Sequence, residues 1–550
     1  MTRLRELDGQ VVDALVVGGG MAGAGVARDL ASRGLSAVLV EKADFAAGTT
    51  SRSSKLIHGG LRYLELLDFK LVRESLRERE TLARLAPQLV RPIPFLVPVY
   101  RTGTRSLVKV RLGLRLYDWL RPGRRTERYR AISRAEALRL EPSVRPDDLL
   151  GAGYYLDDLL LSPERLCLEN VLSARRAGAH AFNYALAEEL QPGPEGGWTA
   201  RVRDLVDGDV VRLTGRVLVN AAGPWVDRVR ARARIEDRGK RIIRTTKGIH
   251  LLLPRLTERA LYLSTQDDRM VFVIPWREFS LVGTTDTDFT DSPDRVWATG
   301  DEVTYLIGEA RRVLVDPRVS EANVVYTYAG VRPLTFEGGS GGSGGSSGKR
   351  ASAVSRQHKV VAEGHGGRFL SVTGTKLTCF RSLAETVGDT VVRRLRRGGP
   401  SLTADIALDG SDEEAGALEA RAMLDLTEAV RATGLEPAQL EALVATYGRR
   451  VRAVLDLARR LPGGLERICK SAPEIVAQVH WAVETELAVS LQDVLLRRTG
   501  IGTGPCLGLD CAVGVAQRMA GLLGWSPRRL EAELEAYQTE VRQGLRFRTG

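Results

Sequence analysis

An α/β fold with a helical C-terminal part is predicted for this 550-residue chain by three observations. Gly18, Gly20 and Gly23 form a G-x-G-x-x-G loop between the apolar run Ala14-Leu15-Val16-Val17 and an Ala-rich helical stretch. A second apolar run, Ala37 to Val40, closes on Glu41, 21 residues after Gly20. Beyond about residue 400 the apolar pattern becomes that of helices. Strand, glycine loop, helix, strand and terminal acid together define a Rossmann-type β-α-β unit. The three glycines serve a tight turn, close backbone approach to a pyrophosphate and helix-on-strand packing, while the helix N-terminus offers N–H groups and a positive dipole end. Glu41 is placed to accept hydrogen bonds from a ribose diol.

After this unit comes Thr49 to Tyr63, Thr-Thr-Ser-Arg-Ser-Ser-Lys-Leu-Ile-His-Gly-Gly-Leu-Arg-Tyr, a stretch too rich in hydroxyls, glycines and cations for an ordinary connection. Small hydroxyl side chains approach a ligand closely, and Arg62 offers a planar fork for phosphate or carboxylate. Phe69 to Leu85 alternates in charge and carries Leu76, Leu82 and Leu85 on one face, which predicts a helix ended by Pro87. Val217-Leu218-Val219 running into Asn220-Ala-Ala-Gly223 predicts a strand that ends in a small-residue turn. Gly374-Thr375-Lys376 predicts a turn that opens a helix through Thr378 to Val387, directing N–H groups and dipole towards a ligand. In the C-terminal part, Ser411-Asp-Glu-Glu414 has the form of a capping box, and Ser526-Pro527 that of an N-cap followed by proline at the first helical position.

Composition sets the class. At 43% hydrophobic residues the chain can bury several cores, consistent with about two or three domains. No stretch reaches the ~18 uninterrupted apolar residues of a membrane span. The first strand begins by about Asp13, leaving no room for a signal peptide, so a cytoplasmic location is expected. Five cysteines, Cys167, Cys379, Cys469, Cys506 and Cys511, include no CxxC pair, which argues against a disulfide framework or a zinc site. They are expected to be buried thiols without a catalytic role, the C-x4-C pair Cys506 and Cys511 included, and no metal is expected. The net charge of +12 is compatible with nucleic acid, an anionic membrane or an anionic substrate. Only ten of the 80 basic residues are lysine. Between Arg101 and Arg130, Val108, Leu112, Leu116 and Leu120 form an i, i+4 stripe beside Trp119, with Lys109, Arg111 and Arg115 nearby. Such a helix either lies on an anionic bilayer or packs on its own domain with a basic outer face.

These segments resemble the FAD-dependent glycerol-3-phosphate dehydrogenases of the aerobic, quinone-reducing type, within the amino-acid-oxidase-like flavoproteins. The most specific is Ser53-Ser-Lys-Leu-Ile-His-Gly-Gly-Leu-Arg-Tyr-Leu64. In order there follow Val219-Asn-Ala-Ala-Gly-Pro-Trp225, Lys247-Gly-Ile-His250, Val273-Ile-Pro-Trp276, Val282-Gly-Thr-Thr-Asp286, Tyr328-Ala-Gly-Val-Arg-Pro-Leu334 and Gly374-Thr-Lys-Leu-Thr378. The resemblance implies noncovalent FAD held by Gly18, Gly20, Gly23, Glu41, Thr50, Ser51, Ser53, Ser54, Lys55, His58, Gly59, Ala222, Gly223, Gly374, Thr375, Lys376 and Leu377. It places Arg62, Tyr63, His250, Arg332 and Lys376 around the substrate, with His250 and Arg332 as the catalytic pair. His250 is the first choice for general base, since an imidazole of pKa about 6.5 suits proton removal at neutral pH, but it could instead donate to a phosphate. Arg332 could hold the phosphate or stabilise a developing alkoxide.

The implied architecture is a Rossmann-type FAD-binding domain with an inserted antiparallel-sheet substrate domain and a C-terminal helical domain. Residues 11–85, 155–245 and 366–396 would form the discontinuous FAD domain, 86–154 and 246–365 the substrate domain, and 400–550 the helical domain. The Gly/Ser-rich tract from Gly338 to Gly348 departs from the family pattern; its composition predicts a flexible spacer. The implied partners are glycerol 3-phosphate, a membrane quinone and an anionic membrane surface on the inner face of the cell membrane; a homodimer is allowed and nucleic acid is not expected. The alternatives are a soluble oxidase of the same substrate that reduces oxygen, oxidation of an amino acid or another alcohol, and, remotely, a non-catalytic basic nucleic-acid-binding protein.

Overall fold

Aliphatic runs covered on both faces build the first of two large sheets. A computed structural model describes residues 4–123, 127–235, 240–336, 356–374, 376–411 and 433–548. In this sheet the strands Phe369–Thr373, Val210–Asn220, Val11–Val17, Ala37–Val40 and His180–Phe182 run parallel in that order. Lys359–Glu363 adds an antiparallel edge, and Ala185–Pro192 with Trp198–Asp204 pairs onto the first half of the Val210–Asn220 strand. The helix Met21–Ser32 crosses between the first two strands of the β-α-β unit. It is buried along almost its whole length against the helices Pro163–Arg176 and Phe380–Leu395.

The second sheet has ten strands and surrounds the long antiparallel pair Ile243–Pro254 and Tyr326–Thr335. Among the described residues all its pairings are antiparallel except Ala260–Ser264 against Val90–Tyr100. The expected α/β class with an inserted antiparallel sheet is therefore the observed one. Two junctions differ from expectation. The strand Leu149–Leu160 runs unbroken through residue 154, because its cross-strand pairing with Val90–Tyr100 continues to Leu160. The strand Lys359–Glu363 already pairs in the first sheet, ahead of residue 366.

The helix Phe69–Leu85 ends before Pro87 as expected, with Leu76, Leu82 and Leu85 buried and Asp68 accepting the Leu71 N–H at 3.2 Å. The helix expected from Thr378 starts two residues later, at Phe380, after a 3-10 turn over Leu377–Cys379, and runs on to Leu395. Ser526 caps the helix Pro527–Leu545 by accepting the Arg529 N–H. The acidic residues of the Ser411–Glu414 box and the Gly/Ser tract lie outside the described residues.

The C-terminal helices are tied to the first sheet by buried charge. Asp44 accepts Arg497 Nε at 2.6 Å and Arg498 Nη1 at 2.7 Å, and these guanidiniums hold its carboxyl well below the ordinary value against the opposing effect of burial. Arg52 reaches Glu540 at 2.6 Å. Among the described residues no helix is long and apolar enough to cross a membrane.

Candidate active site

A cavity of about 750 Å³ runs between the two sheets, lined at one end by the glycine loop and at the other by cations. At the first end Gly18 has φ +109, a conformation open to glycine, and a Cβ there would stand 2.7 Å from the Ala221 carbonyl oxygen. A Cβ on Gly23 would come within 1.8 Å of the Gly18 carbonyl oxygen, so helix and strand can meet only without side chains. Gly20 caps the helix and contributes no side chain, leaving its N-terminus open to a ligand. Thr50 Oγ1 accepts the Met21 N–H at 3.0 Å. Glu41 takes the N–H groups of Gly19 at 2.6 Å and Ala43 at 2.9 Å, one on each carboxylate oxygen. Burial pushes its carboxyl pKa up, against those two bonds. A carboxylate has about four acceptor sites, so both oxygens retain capacity for a ribose diol. At the rim Asp294 gathers Lys42, Trp225 and Arg228, and Lys42 lies 4.1 Å over the Trp225 ring.

Three guanidiniums from distant parts of the chain converge on one buried carboxylate at the opposite end. Arg332 Nη1 lies 3.1 Å from Asp286 Oδ1, Arg356 Nη2 3.6 Å and Arg62 Nη2 4.0 Å from Asp286 Oδ2. Arg332 also donates to Thr284 Oγ1 at 2.8 Å and to the Thr285 carbonyl at 3.2 Å, and Arg356 bonds Tyr63. Burial lowers the Arg332 pKa to about 10, which keeps it cationic at neutral pH. Burial pushes the Asp286 carboxyl up, but Arg332, Arg356 and Arg62 together bring it below its ordinary value. The three cations and one anion leave two positive charges at this end. Lys376 stands beside them, its Nζ donating to the His58 carbonyl at 2.7 Å and to Ser75 Oγ at 2.9 Å, 5.2 Å over the Tyr63 ring.

His250 sits on the Ile243–Pro254 strand opposite Tyr328, on whose ring it stacks at 5.0 Å. Its Nε2 is 2.8 Å from Ser54 Oγ, while Nδ1 is enclosed and has no hydrogen-bond partner among the described residues. Burial, then Arg332 and Lys55, lower its pKa well below the ordinary imidazole value, so the ring is neutral. His58 is lowered likewise, by burial and then by Lys376 and Arg356.

The cavity is lined by Gly18, Gly20, Glu41, Thr50, Ser53, Ser54, His58, Arg62, Tyr63, Ala222, Gly223, His250, Arg332, Gly374, Lys376 and Leu377. Four residues expected at the cofactor do not line it. Gly23 is consumed by the helix–strand contact, and Ser51 turns its hydroxyl back onto the Ala47 and Gly48 carbonyls. Lys55 is buried beside Glu164 at 3.4 Å and over the Trp276 ring at 4.9 Å. Gly59 donates its N–H to Tyr117 Oη at 2.8 Å, and a Cβ there would strike that hydroxyl and Leu76. Thr375 lies outside the described residues. Sequence reasoning missed Arg356, which follows the Gly/Ser tract without any motif of its own, and Asp286, which was quoted only as a strand end. A lone acid closing Val282-Gly-Thr-Thr-Asp286 in a chain so rich in arginine was the available signal.

The residues fit a flavin dinucleotide: a side-chain-free phosphate turn, an acid at the second strand end and a cavity long enough to continue to a separate polar site. The chain belongs to the FAD-dependent oxidoreductases, the profile of the family described as FAD dependent oxidoreductase matching residues 13–375. Residues 401–530 match the C-terminal domain of alpha-glycerophosphate oxidase. Within that class the chain is a member of the glycerol-3-phosphate dehydrogenase family. It is similar to the glycerol-3-phosphate dehydrogenase of Synechocystis sp., 36% identical over 99% of this chain and 98% of the relative. It is also similar to the aerobic glycerol-3-phosphate dehydrogenase of Bacillus subtilis, 32% identical over 90% of this chain and 88% of the relative. The structure of the glycerol-3-phosphate dehydrogenase from Bacillus halodurans complexed with FAD superimposes with a TM-score of 0.80 at 26% identity, covering 99% of this chain and 97% of that one.

Proposed function

We propose that the chain oxidises sn-glycerol 3-phosphate to dihydroxyacetone phosphate with noncovalent FAD and passes the electrons to a membrane quinone. The observation that carries this reading is the convergence of Arg62, Arg332 and Arg356 on Asp286 in the same cavity that the glycine loop lines. Two surplus positive charges complement a phosphate of about −2, and guanidinium forks suit its oxygens. Bound FAD supplies the acceptor for the hydride that leaves carbon 2.

The residues of the chain hold the phosphate and move the proton. Arg332, held in orientation by Thr284 and the Thr285 carbonyl, grips the phosphate together with Arg62 and Arg356, while Tyr63 and Lys376 close the side of the pocket. His250 acts at Nε2, since Nδ1 is enclosed. The Ser54 hydroxyl, which lines the cavity, hands its proton to Nε2 as the Ser54 oxygen takes the proton of the substrate hydroxyl. A neutral imidazole is required for that transfer, and burial keeps His250 neutral.

Attachment to the cytoplasmic face of the membrane is supported by the helix Leu107–Trp119. Val110, Leu114 and Tyr117 face inward, whereas Val108, Leu112 and Trp119 are exposed beside Lys109, Arg111 and Arg115. Leu67 and Phe69 add exposed apolar surface from a neighbouring segment. Replacing Leu112 and Trp119 by serine lowers partition onto anionic vesicles by about tenfold or more, with activity on a water-soluble acceptor retained. Unchanged vesicle binding would remove this face from the membrane reading.

The reaction is tested by anaerobic bleaching of the ~450 nm flavin band on adding glycerol 3-phosphate. Rapid recovery with a quinone analogue and slow recovery with oxygen is expected. Fast recovery with oxygen would make the protein an oxidase, and no bleaching would overturn the substrate. On acid precipitation the yellow colour should leave with the supernatant, and colour retained in the pellet would mean a covalent flavin.

A further inference from the structure

The fold brings Cys469 to the distant C-x4-C pair Cys506 and Cys511. Cys469 Sγ lies 3.2 Å from Cys506 Sγ, 37 residues away, and 3.2 Å from Ser471 Oγ. Cys469 Sγ, Cys506 Sγ and an Asp510 carboxylate oxygen all lie within 4.8 Å of one another. Cys511 lies beside this group, its thiol interacting with Cys469 and donating to the Gly508 carbonyl at 3.5 Å. Cys469 and Cys511 are buried and Cys506 is half-buried. The C-x4-C pair, which alone lacked further ligands, thus acquires a third thiol and a carboxylate.

We propose that Cys469, Cys506, Cys511 and Asp510 form a binding site for one thiophilic transition-metal ion of the zinc or iron class. Cys469 Sγ, Cys506 Sγ and an Asp510 oxygen are three donors already within 4.8 Å of one another, and Cys511, which interacts with Cys469, would supply the fourth donor of a tetrahedral centre by turning from the Gly508 carbonyl. The loops around them are built as ligand loops. The Ser471 N–H bonds Cys469 and the Gly508 N–H bonds Cys506, each two residues beyond its cysteine. N–H groups aimed at sulfur stabilise thiolates and orient ligands. Gly508 turns at φ +71, and a Cβ there would lie 2.4 Å from Tyr537 Oη, so this turn is held open for glycine. The Cys469 thiol faces Ser471, Cys506 and Cys511 at once. A cation would displace the protons of the thiols to solvent and relieve this crowding.

The site would pin two segments of the helical domain together where they meet the substrate sheet. The Gly500 carbonyl accepts Arg277 Nη1 at 2.8 Å, and the Gly500 N–H donates to Glu474 at 3.0 Å. Ile501, Leu507 and Cys511 share a core with Trp276 of that sheet. Metal loss would therefore loosen the helical domain without touching the glycine loop or the arginine cluster.

The test is elemental analysis of the full chain purified under reducing conditions without chelator. About one equivalent of zinc or iron per chain is expected, the analysis itself distinguishing the two. Cys506→Ser should lower that content by at least tenfold while flavin absorbance shows the rest of the protein folded. Should that variant fail to fold, alkylation of the wild type decides: Cys469, Cys506 and Cys511 should be protected until a chelator is added. A wild type that carries neither metal, takes up no added Zn²⁺ and shows chelator-independent alkylation would overturn the proposal.

Discussion

The two ends of the cavity are made in opposite ways. The glycine-loop end comes chiefly from one continuous stretch, Val11 to Thr50, closed by the turn at Ala221 to Gly223, and works through backbone N–H groups and through positions that have no Cβ. The cationic end brings side chains from four separate segments, Ser54 with Arg62, then Asp286, Arg332 and Arg356, onto neighbouring strands and loops of the second sheet. The first end is defined by excluded volume, so it tolerates no added atoms. The second is defined by charge balance around Asp286, so it responds in graded steps as individual cations are removed.

The largest expected effect tests the first half of that contrast. Gly23→Ala forces a Cβ into the Gly18 carbonyl, with backbone on both sides and no flexible side chain to yield. Flavin should be lost altogether, read as the disappearance of the ~450 nm band from purified protein. Normal flavin content would show that helix and strand can separate. Next comes Arg332→Ala, which removes the guanidinium nearest to Asp286 and its bonds to Thr284 and Thr285. Losing one member of a buried charge cluster costs about 3–5 kcal/mol, so kcat/KM for glycerol 3-phosphate should fall by roughly a hundredfold to several thousandfold with flavin retained. A variant with unchanged kcat/KM would exclude Arg332 from the site.

The same contrast explains what the sequence revealed. Gly18, Gly20, Gly23 and Glu41 were legible because their geometry follows from spacing within one β-α-β unit, which local sequence determines. The family resemblance carried Arg62, His250, Arg332 and Lys376, and the fold brings all four to one cavity. Arg356 was invisible because its place depends on the return of the chain after residue 355, and no local pattern records that path. Lys55 and Gly59 misled for the converse reason. They stand inside the most specific motif, yet their neighbours Glu164, Trp276, Tyr117 and Leu76 come from elsewhere and claim them for packing. The thiol cluster was hidden in the same way, since 37 residues separate Cys469 from Cys506.

Arg356→Ala sharpens the graded half of the comparison. At 3.6 Å from Asp286 its guanidinium is a looser partner than Arg332, and two cations remain after its removal. One charge-assisted bond is worth about 1.5–3 kcal/mol, so KM should rise by about ten- to a hundredfold, with kcat changed less. An effect as large as that of Arg332→Ala would mean that the three arginines act as a unit rather than by degrees.

The smallest effect concerns stability and again separates the two ends. His58 and His250, both at the cationic end, are buried with pKa values held well below about 6.5 by burial and by Lys376, Arg356 and Arg332. In the unfolded chain both titrate near about 6.5, so below that pH the unfolded state binds more protons than the folded one. The folded state is therefore fully favoured above about pH 6.5 and loses stability as the pH falls towards the depressed values, by about 1.4 kcal/mol per pH unit for each histidine. In a chain of this size that amounts to a few degrees in Tm between pH 7 and about 6 at most. The double variant His58→Gln, His250→Gln should show a shallower loss of Tm over that interval than the wild type. Asp286 and Asp44 lie below their ordinary values and stay ionised between these pH values, and the raised carboxyls, Glu41 among them, are common to both proteins, so the difference between the two curves reports the histidines. Parallel Tm curves for the two proteins would mean that the cationic end admits enough water to let both imidazoles take up protons in the folded state.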